Sequence, residues 1–353
     1  MASNDLRTSA ASGIGSLDAH PASDPQKPTV PTWQQSLQQA FRSLDALLEC
    51  LQLTPDELPP LDRTNPFPLL VPHEFVRRMQ PGDPHDPLLR QILPLESERS
   101  LPTGFVADPV NDAEFEVSPG LLHKYATRVL LIAAGMCAVN CRYCFRRHYP
   151  YQDSPKSNEA WEPALATIAH DTSIEEVLLS GGDPLALGNA KLTSLVRGIE
   201  AIGHVRRLRI HTRFPVMIPQ RVDDALCELF EKSRLTTWMV LHINHANEVD
   251  QAVADAASKL RRCGVCVLNQ SVLLRGINDR LEDQRELCSR LVDVGIQPYY
   301  LHQLDPVAGA SHFECEQSLG ESIVRELRSS LSGYAVPRFV KEIPGRANKT
   351  LLG

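Results

Sequence analysis

The chain has 353 residues, 42% hydrophobic and 22% charged, enough apolar material for a sizeable packed core. Its 36 basic and 43 acidic side chains leave a net charge of −7, which argues against the basic face of a general nucleic-acid binder. No run of 18 apolar residues suits a membrane span, and the first thirty residues carry no signal-peptide core. The expected compartment is therefore the cytoplasm, where nine cysteines read as metal, redox or core residues and not as a disulfide framework.

Residues 1–32 are rich in Ala, Ser, Asp and Pro and predict a disordered tail. From Trp33 the pattern changes. Leu37, Phe41, Leu44, Leu48 and Leu51 fall three and four apart, the spacing of one amphipathic helix face. They open an N-terminal helical extension assigned to 33–120. Six prolines from Leu53 to Pro72 predict a connector, and Phe75, Val76 and Met79 a helical stretch ending at the Pro81-Gly82 turn.

The segment 121–353 has a different rhythm. β-rich runs at 129–133, 176–180, 208–211, 238–242, 265–274 and 297–302 alternate with amphipathic stretches at 190–202, 221–231, 252–263 and 280–294. Alternation of this kind gives a parallel sheet with right-handed crossovers. Six units predict an α/β fold, a partial (β/α)6 parallel barrel with chemistry at the carboxyl ends of its strands.

Directly after the first run comes Gly135-Met136-Cys137-Ala138-Val139-Asn140-Cys141-Arg142-Tyr143-Cys144. Three thiolates within eight residues can wrap one small metal centre. A four-iron cluster usually takes four thiolates, so three leave one iron open to an outside chelator. A structural zinc site with His148 as fourth ligand is the alternative metal reading, and three buried cysteines without metal the plainest one. Cys263-Gly264-Val265-Cys266 has redox spacing but leads from a helix into a strand, where the helix dipole does not activate a thiol, so it reads as structural. Cys50, Cys227, Cys288 and Cys315 read as core or surface singles.

The Cys-x3-Cys-x2-Cys spacing resembles that of the radical S-adenosylmethionine (SAM) superfamily. Further segments narrow the resemblance: 124–131, Cys144-Phe145-Arg146-Arg147, His211-Thr212-Arg213-Phe214-Pro215, Leu241-His242-Ile243-Asn244-His245, 269–279 and Pro298-Tyr299-Tyr300. Together they are similar to the lysine 2,3-aminomutase family over roughly residues 70 to 353. The resemblance implies a [4Fe–4S] cluster on Cys137, Cys141 and Cys144, with SAM at the open iron. Tyr143 would lie against the adenine, and Ser180-Gly181-Gly182-Asp183 and Arg213 would face the same cofactor. It also implies pyridoxal 5′-phosphate on Lys349, with Lys124, Tyr125 and Arg128 on its phosphate side. Read alone, Lys349 is a solvated charge near the end of the chain. The stretch Gly345-Arg346-Ala347-Asn348 departs from the family's run of glycines.

For a lysine substrate the resemblance assigns Arg146 to the carboxylate and Asp279 and Glu342 to the ε-ammonium. Glu342 stands where the family has an aspartate, and Asn278-Asp279 alone reads as a turn pair. His242, Asn244 and His245 are expected near the site. The implied reaction is a 1,2-amino shift from α-lysine to β-lysine, with a flavodoxin or ferredoxin as electron donor. The chain lacks the zinc-binding C-terminal segment of longer members. It resembles the short members that make (R)-β-lysine for a separate ligase acting on elongation factor P. A 2,3-aminomutase for another amino acid and a zinc-stabilised binding module without catalysis are the alternatives.

Overall fold

Strand runs separated by helices pair in the order in which they occur. In the computed structural model, which describes residues 31–153, 155 and 157–353, one ten-stranded sheet runs β1 (Glu116–Ser118), β2 (Leu121–Tyr125), β3 (Arg128–Ala134), β4 (Glu176–Gly181), β5 (Arg207–Thr212), β6 (Thr236–His242), β7 (Cys266–Val272), β8 (Gln297–His302), β9 (Arg338–Lys341) and β10 (Thr350–Leu351). Of the tail expected over 1–32, residues 1–30 lie outside the described residues. All six expected strands are present, as β3 to β8, and each pairs parallel with the next. The sequence missed β9, which extends the parallel set by one; four residues are too few to show alternation. β1, β2 and β10 add antiparallel pairings at the two edges. Among the described residues no ladder joins β1 to β10, so the barrel stays open.

The helices are α1 (Trp33–Gln39), α2 (Leu44–Cys50), α3 (His73–Val76), α4 (Asn158–His170), α5 (Asn189–Glu200), α6 (Phe214–Met217), α7 (Asp224–Glu231), α8 (Gln251–Arg262), α9 (Leu281–Asp293) and α10 (Gln317–Ser330). Their apolar stripes face inward; in α5 the buried positions are Leu192, Leu195, Val196 and Ile199. Sequence periodicity passed over α4, which contains Pro163, and α10, which contains Gly320. Gly320 is required by packing, because a Cβ there would stand 2.3 Å from the Phe339 ring.

The extension is less helical than expected. The single helix face read from Leu37 to Leu51 is two short helices. Between them Phe41 pairs its backbone with Val71 (N to O 2.8 and 3.1 Å), and Ser43 caps α2 by accepting from Ala46 N. The cap and the backbone bridge outcompete helix continuity, yet Leu37, Leu44, Leu48 and Leu51 still point inward. The prolines keep the rest of 51–112 in short turns. This segment shares one continuous apolar core with the barrel: Trp33, Leu47, Phe75 and Leu89 cluster with Val129, Trp161, Leu208 and Met239. Trp33 meets Phe214 of α6 edge-on at 5.7 Å. Among the described residues no helix is long and apolar enough to cross a membrane.

Because Phe75 is fully buried at this junction, Phe75→Ala should cost ~3–5 kcal/mol. The loss should appear in a single thermal transition that covers both segments. Two separate transitions, with the barrel unmoved, would show that the extension has its own core.

Candidate active site

The carboxyl ends of the strands open into a cavity of ≈ 1160 Å³. Cys137, Cys141 and Cys144 lie on one wall and Lys349 on another, with Arg146, His211, His242 and His302 also in the lining.

The cysteine loop leaves β3 and is held by the glycine turn that ends β4. Gly182 N donates to Ala134 O at 2.7 Å, and Asp183 N to Met136 O at 2.8 Å. A Cβ on Gly182 would sit 2.7 Å from Met136 O, and one on Gly181, at φ +121°, 2.5 Å from Ala134 O. The close approach that requires glycine is therefore to the loop backbone, not only to a ligand. Asp183 is also committed: its buried carboxylate accepts from Thr212 Oγ1 (2.7 Å), Arg213 N (2.7 Å), Leu185 N (3.0 Å) and Phe214 N (3.2 Å). Burial nonetheless pushes its acid up to about 6. Ser180 Oγ accepts from Arg146 Nη1 at 3.0 Å.

The donors suit a multi-iron cluster. Among the described residues no three His, Cys, Asp or Glu side chains converge on a single-ion site. Thiolates of a cluster bind different irons and need not converge. His148 does not complete a zinc shell, because its Nε2 bonds to Ala308 O at 3.0 Å and the residue lies outside the cavity lining. Arg213 Nη1 stands 2.7 Å from Cys141 Sγ, a charged donor of the kind that tunes cluster sulfurs. Cys263 is buried at the end of α8 and Cys266 exposed at the start of β7, both outside the lining.

Behind the thiols a buried polar knot fixes Tyr143 and Arg213. The Tyr143 hydroxyl donates to Gln91 Oε1 (3.1 Å) and accepts from Arg213 Nη1 (2.8 Å) and Asn244 Nδ2 (2.6 Å). Its ring stacks on His242 at 5.6 Å. Arg213 Nη2 also reaches Gln91 Oε1 (2.7 Å) and Glu248 Oε2 (2.9 Å). Of the histidine–asparagine group expected near the site, His242 lines the cavity, Asn244 supports Tyr143, and His245 caps a turn by accepting from Asn247 N. Gln91 and Glu248 carried no sequence signal, since their partners lie across the fold.

On the opposite wall Lys349 is ordered by the β9–β10 hairpin, in which Thr350 pairs with Lys341. Its Nζ lies 2.6 Å from Glu342 Oε2, and Tyr125 donates to Glu342 Oε1 at 2.9 Å. The Arg128 guanidinium covers the Tyr125 ring at 4.1 Å. Between the walls, buried Asp112 bridges Arg146 Nε (2.7 Å) and Lys124 Nζ (2.8 Å). Asp112 follows Asn111, a left-handed turn residue at φ +52°, and went unnoticed in the sequence. Burial lowers the histidines, His242 to about 3 and His211 and His302 well below their ordinary range, so all three are neutral. The Nε2 atoms of His211 and His302 have no partner.

Asp279 follows the Leu273–Ile277 turn beside Asp283 and Cys315 and is half-buried, just outside the residues that line the cavity. The carboxylate inside the cavity is Asp305, three residues past β8. It lies near Lys349 and Glu342, with its acid pushed up to about 6 by burial.

The profile of the radical SAM superfamily matches residues 131–288. The L-lysine 2,3-aminomutase of Escherichia coli (strain K12) is 45% identical over 92% of this chain and 95% of its own length. That of Clostridium subterminale is 33% identical over 90% of this chain and 77% of its own. A crystal structure of a radical SAM methyltransferase from Sphaerobacter thermophilus aligns with a TM-score of 0.45 at 16% identity, covering 62% of this chain and 68% of that one.

Cys137→Ala, Cys141→Ala and Cys144→Ala should each lose iron from anaerobically purified protein and abolish SAM cleavage. Cys263→Ala and Cys266→Ala should keep both. Iron content that followed the second pair would refute this assignment of the cluster.

Proposed function

The chain belongs to the lysine 2,3-aminomutase family of radical SAM enzymes, and on that basis we propose that it converts L-α-lysine into β-lysine by moving the amino group from C2 to C3. The observation that supports the reading is that Lys349 lines the same cavity as the three thiols and Arg146. The cluster and SAM, when bound, supply one-electron hydrogen abstraction, and pyridoxal phosphate supplies the carbon–nitrogen double bond across which an amino group can migrate.

The side chains take the following roles. Lys349 holds the pyridoxal group, and Tyr125 and Arg128 flank it. Lys124 is spent on Asp112 and the Val110 carbonyl, so it supports Asp112 more directly than it supports a phosphate. Arg146 gives Nε to Asp112 and Nη1 to Ser180; Nη2, which both edges of the fork share, is left for the substrate carboxylate. Asp305, inside the cavity, is a further carboxylate for the ε-ammonium beside those the resemblance assigns. His211 and His302 stay neutral and bring no competing positive charge to a cationic substrate.

The product is proposed to be the R isomer, destined for a ligase that modifies elongation factor P, with a flavodoxin or ferredoxin as reductant in the cytoplasm. The support is the extent of the match: it spans 95% and 98% of the E. coli and Haemophilus influenzae relatives but 68–77% of those from Bacillus subtilis and Clostridium subterminale. Incubating reduced, reconstituted protein with a panel of amino acids and resolving the products on a chiral column tests this. (R)-β-lysine from lysine alone is expected. Faster turnover of another amino acid would replace the substrate assignment.

Two further measurements follow. Borohydride should fix pyridoxal phosphate to Lys349, and Lys349→Ala should lose the label; an adduct on Lys341 or Lys124 would overturn the assignment. Losing one partner of a desolvated charge pair costs ~2–5 kcal/mol, so Asp305→Asn should lower kcat/KM for lysine ~30-fold or more. Only ionised Asp305 pairs with an ammonium, and kcat/KM reports the free enzyme. It should therefore fall for lysine as pH drops through about 6, and fall less for a neutral analogue of the same length. Equal profiles for the two substrates would remove Asp305 from ammonium recognition.

A further inference from the structure

Glu342 is read from the sequence as an anchor for the substrate, yet its carboxylate touches the lysine that would carry the cofactor. Lys349 Nζ is 2.6 Å from Oε2, while the Tyr125 hydroxyl donates to Oε1 at 2.9 Å and reaches Oε2 at 3.1 Å. The ion pair of this triad is sheltered: the Glu342 side chain is 11% exposed and that of Lys349 28%. We propose that Glu342, held by Tyr125, accepts the proton of Lys349 Nζ and returns it during attachment and release of pyridoxal phosphate, an inference that rests on the pyridoxal reading above.

The chemistry requires such a group. An ammonium cannot attack a carbonyl, so Lys349 must first give up a proton, and Glu342 is in hydrogen-bond contact to take it. The neutral Nζ would then bond to the aldehyde carbon, whose oxygen becomes a hydroxyl by taking one of the two nitrogen protons. To expel that hydroxyl as water a proton must be supplied, and the carboxylic acid formed in the first step supplies it. One C–N double bond forms, one C–O double bond is lost as water, and Glu342 ends as it began. No oxidant or reductant enters.

The surroundings favour Glu342 over its neighbours. The three histidines facing the cavity are neutral and, being hard to protonate, poor proton carriers. Asp305 lies near Lys349 but makes no hydrogen bond to its Nζ. Tyr125 is held above the ordinary phenol range by burial and by the Glu342 carboxylate beside it, so it stays a donor and orients the carboxylate. Side-chain length matters too: an aspartate at 342 would pull the carboxylate back by about one C–C bond, ~1.5 Å, beyond hydrogen-bond reach.

The test is the rate of cofactor loading, which needs neither lysine nor SAM. Full-length protein freed of pyridoxal phosphate is mixed with it, quenched with borohydride at timed intervals, and the label on Lys349 counted by mass spectrometry. General acid–base catalysis contributes ~10²–10⁴-fold, so Glu342→Gln should load ~100-fold more slowly. Glu342→Asp should lie between it and wild type, and Tyr125→Phe should slow loading about tenfold, as for loss of a hydrogen bond to a charged group. Wild-type loading should slow in deuterium oxide, a readout that does not depend on any variant folding. Circular dichroism and cluster absorbance should match wild type in all three variants. Loading of Glu342→Gln at or above the wild-type rate would overturn the relay, because the carboxylate would then only hold the ammonium. A KM defect confined to lysine, with normal loading, would make Glu342 the substrate's anchor instead. Absence of any label on wild-type Lys349 would sink the pyridoxal reading and the relay together, whereas a normal label with unaltered variant rates removes the relay alone.

Discussion

At the end of β4 two backbones meet with no room between them. Gly181 and Gly182 lie so close to Ala134 and Met136 that any side chain would intrude on backbone atoms, which cannot swing away. That contact sets the path of the cysteine loop. The next residue, Asp183, carries the constraint onward by gathering the backbone N–H groups of Arg213 and Phe214. Arg213 in turn reaches Cys141 and Tyr143. The thiols, the aromatic ring beside them and the ends of β4 and β5 are thus one connected unit. A shift of the glycine turn would move the metal-binding loop with it.

The charges obey a second rule. A buried charge without a partner costs several kcal/mol, and four sheltered cations of the cavity have theirs: Arg146 and Lys124 share Asp112, Arg213 has Glu248, and Lys349 has Glu342. Beneath the loop, Glu98 holds both Arg142 and Arg147 at 2.6 Å. A single bridging carboxylate such as Asp112 keeps Arg146 charged and oriented, so in the role proposed for Arg146 less rearrangement would accompany binding. The histidines complete the balance by staying neutral between these pairs.

What the sequence could show was local. The three cysteines, the glycine turn and the strand rhythm are written in consecutive residues, and the fold they implied is the one found. Asp112, Gln91, Glu98 and Glu248 act mainly through partners 34 to 157 residues away, and no spacing rule reaches that far. Asp305 went unread for a different reason. It belongs to no motif, yet it comes three residues after β8, where a barrel places its chemistry, and it lines the cavity. Distance along the chain from the strand end was the available signal. The short β9 and the interior Pro163 and Gly320 misled for another reason: tertiary packing overrode local propensity at each.

The open seam of the barrel explains where Lys349 sits. β2 and β9–β10 lie at opposite edges of the sheet, and no backbone ladder joins them among the described residues. Tyr125, at the end of β2, nevertheless hydrogen-bonds to Glu342, just past β9, and Glu342 pairs with Lys349, just before β10. Side chains therefore bridge the gap that strands leave. A backbone closure is rigid, whereas this one consists of groups that can exchange protons and partners. In the role proposed for Lys349, bonding to a large aldehyde and later releasing it, that freedom is needed, and the seam supplies it while the parallel strands β3 to β8 hold the rest of the cavity fixed.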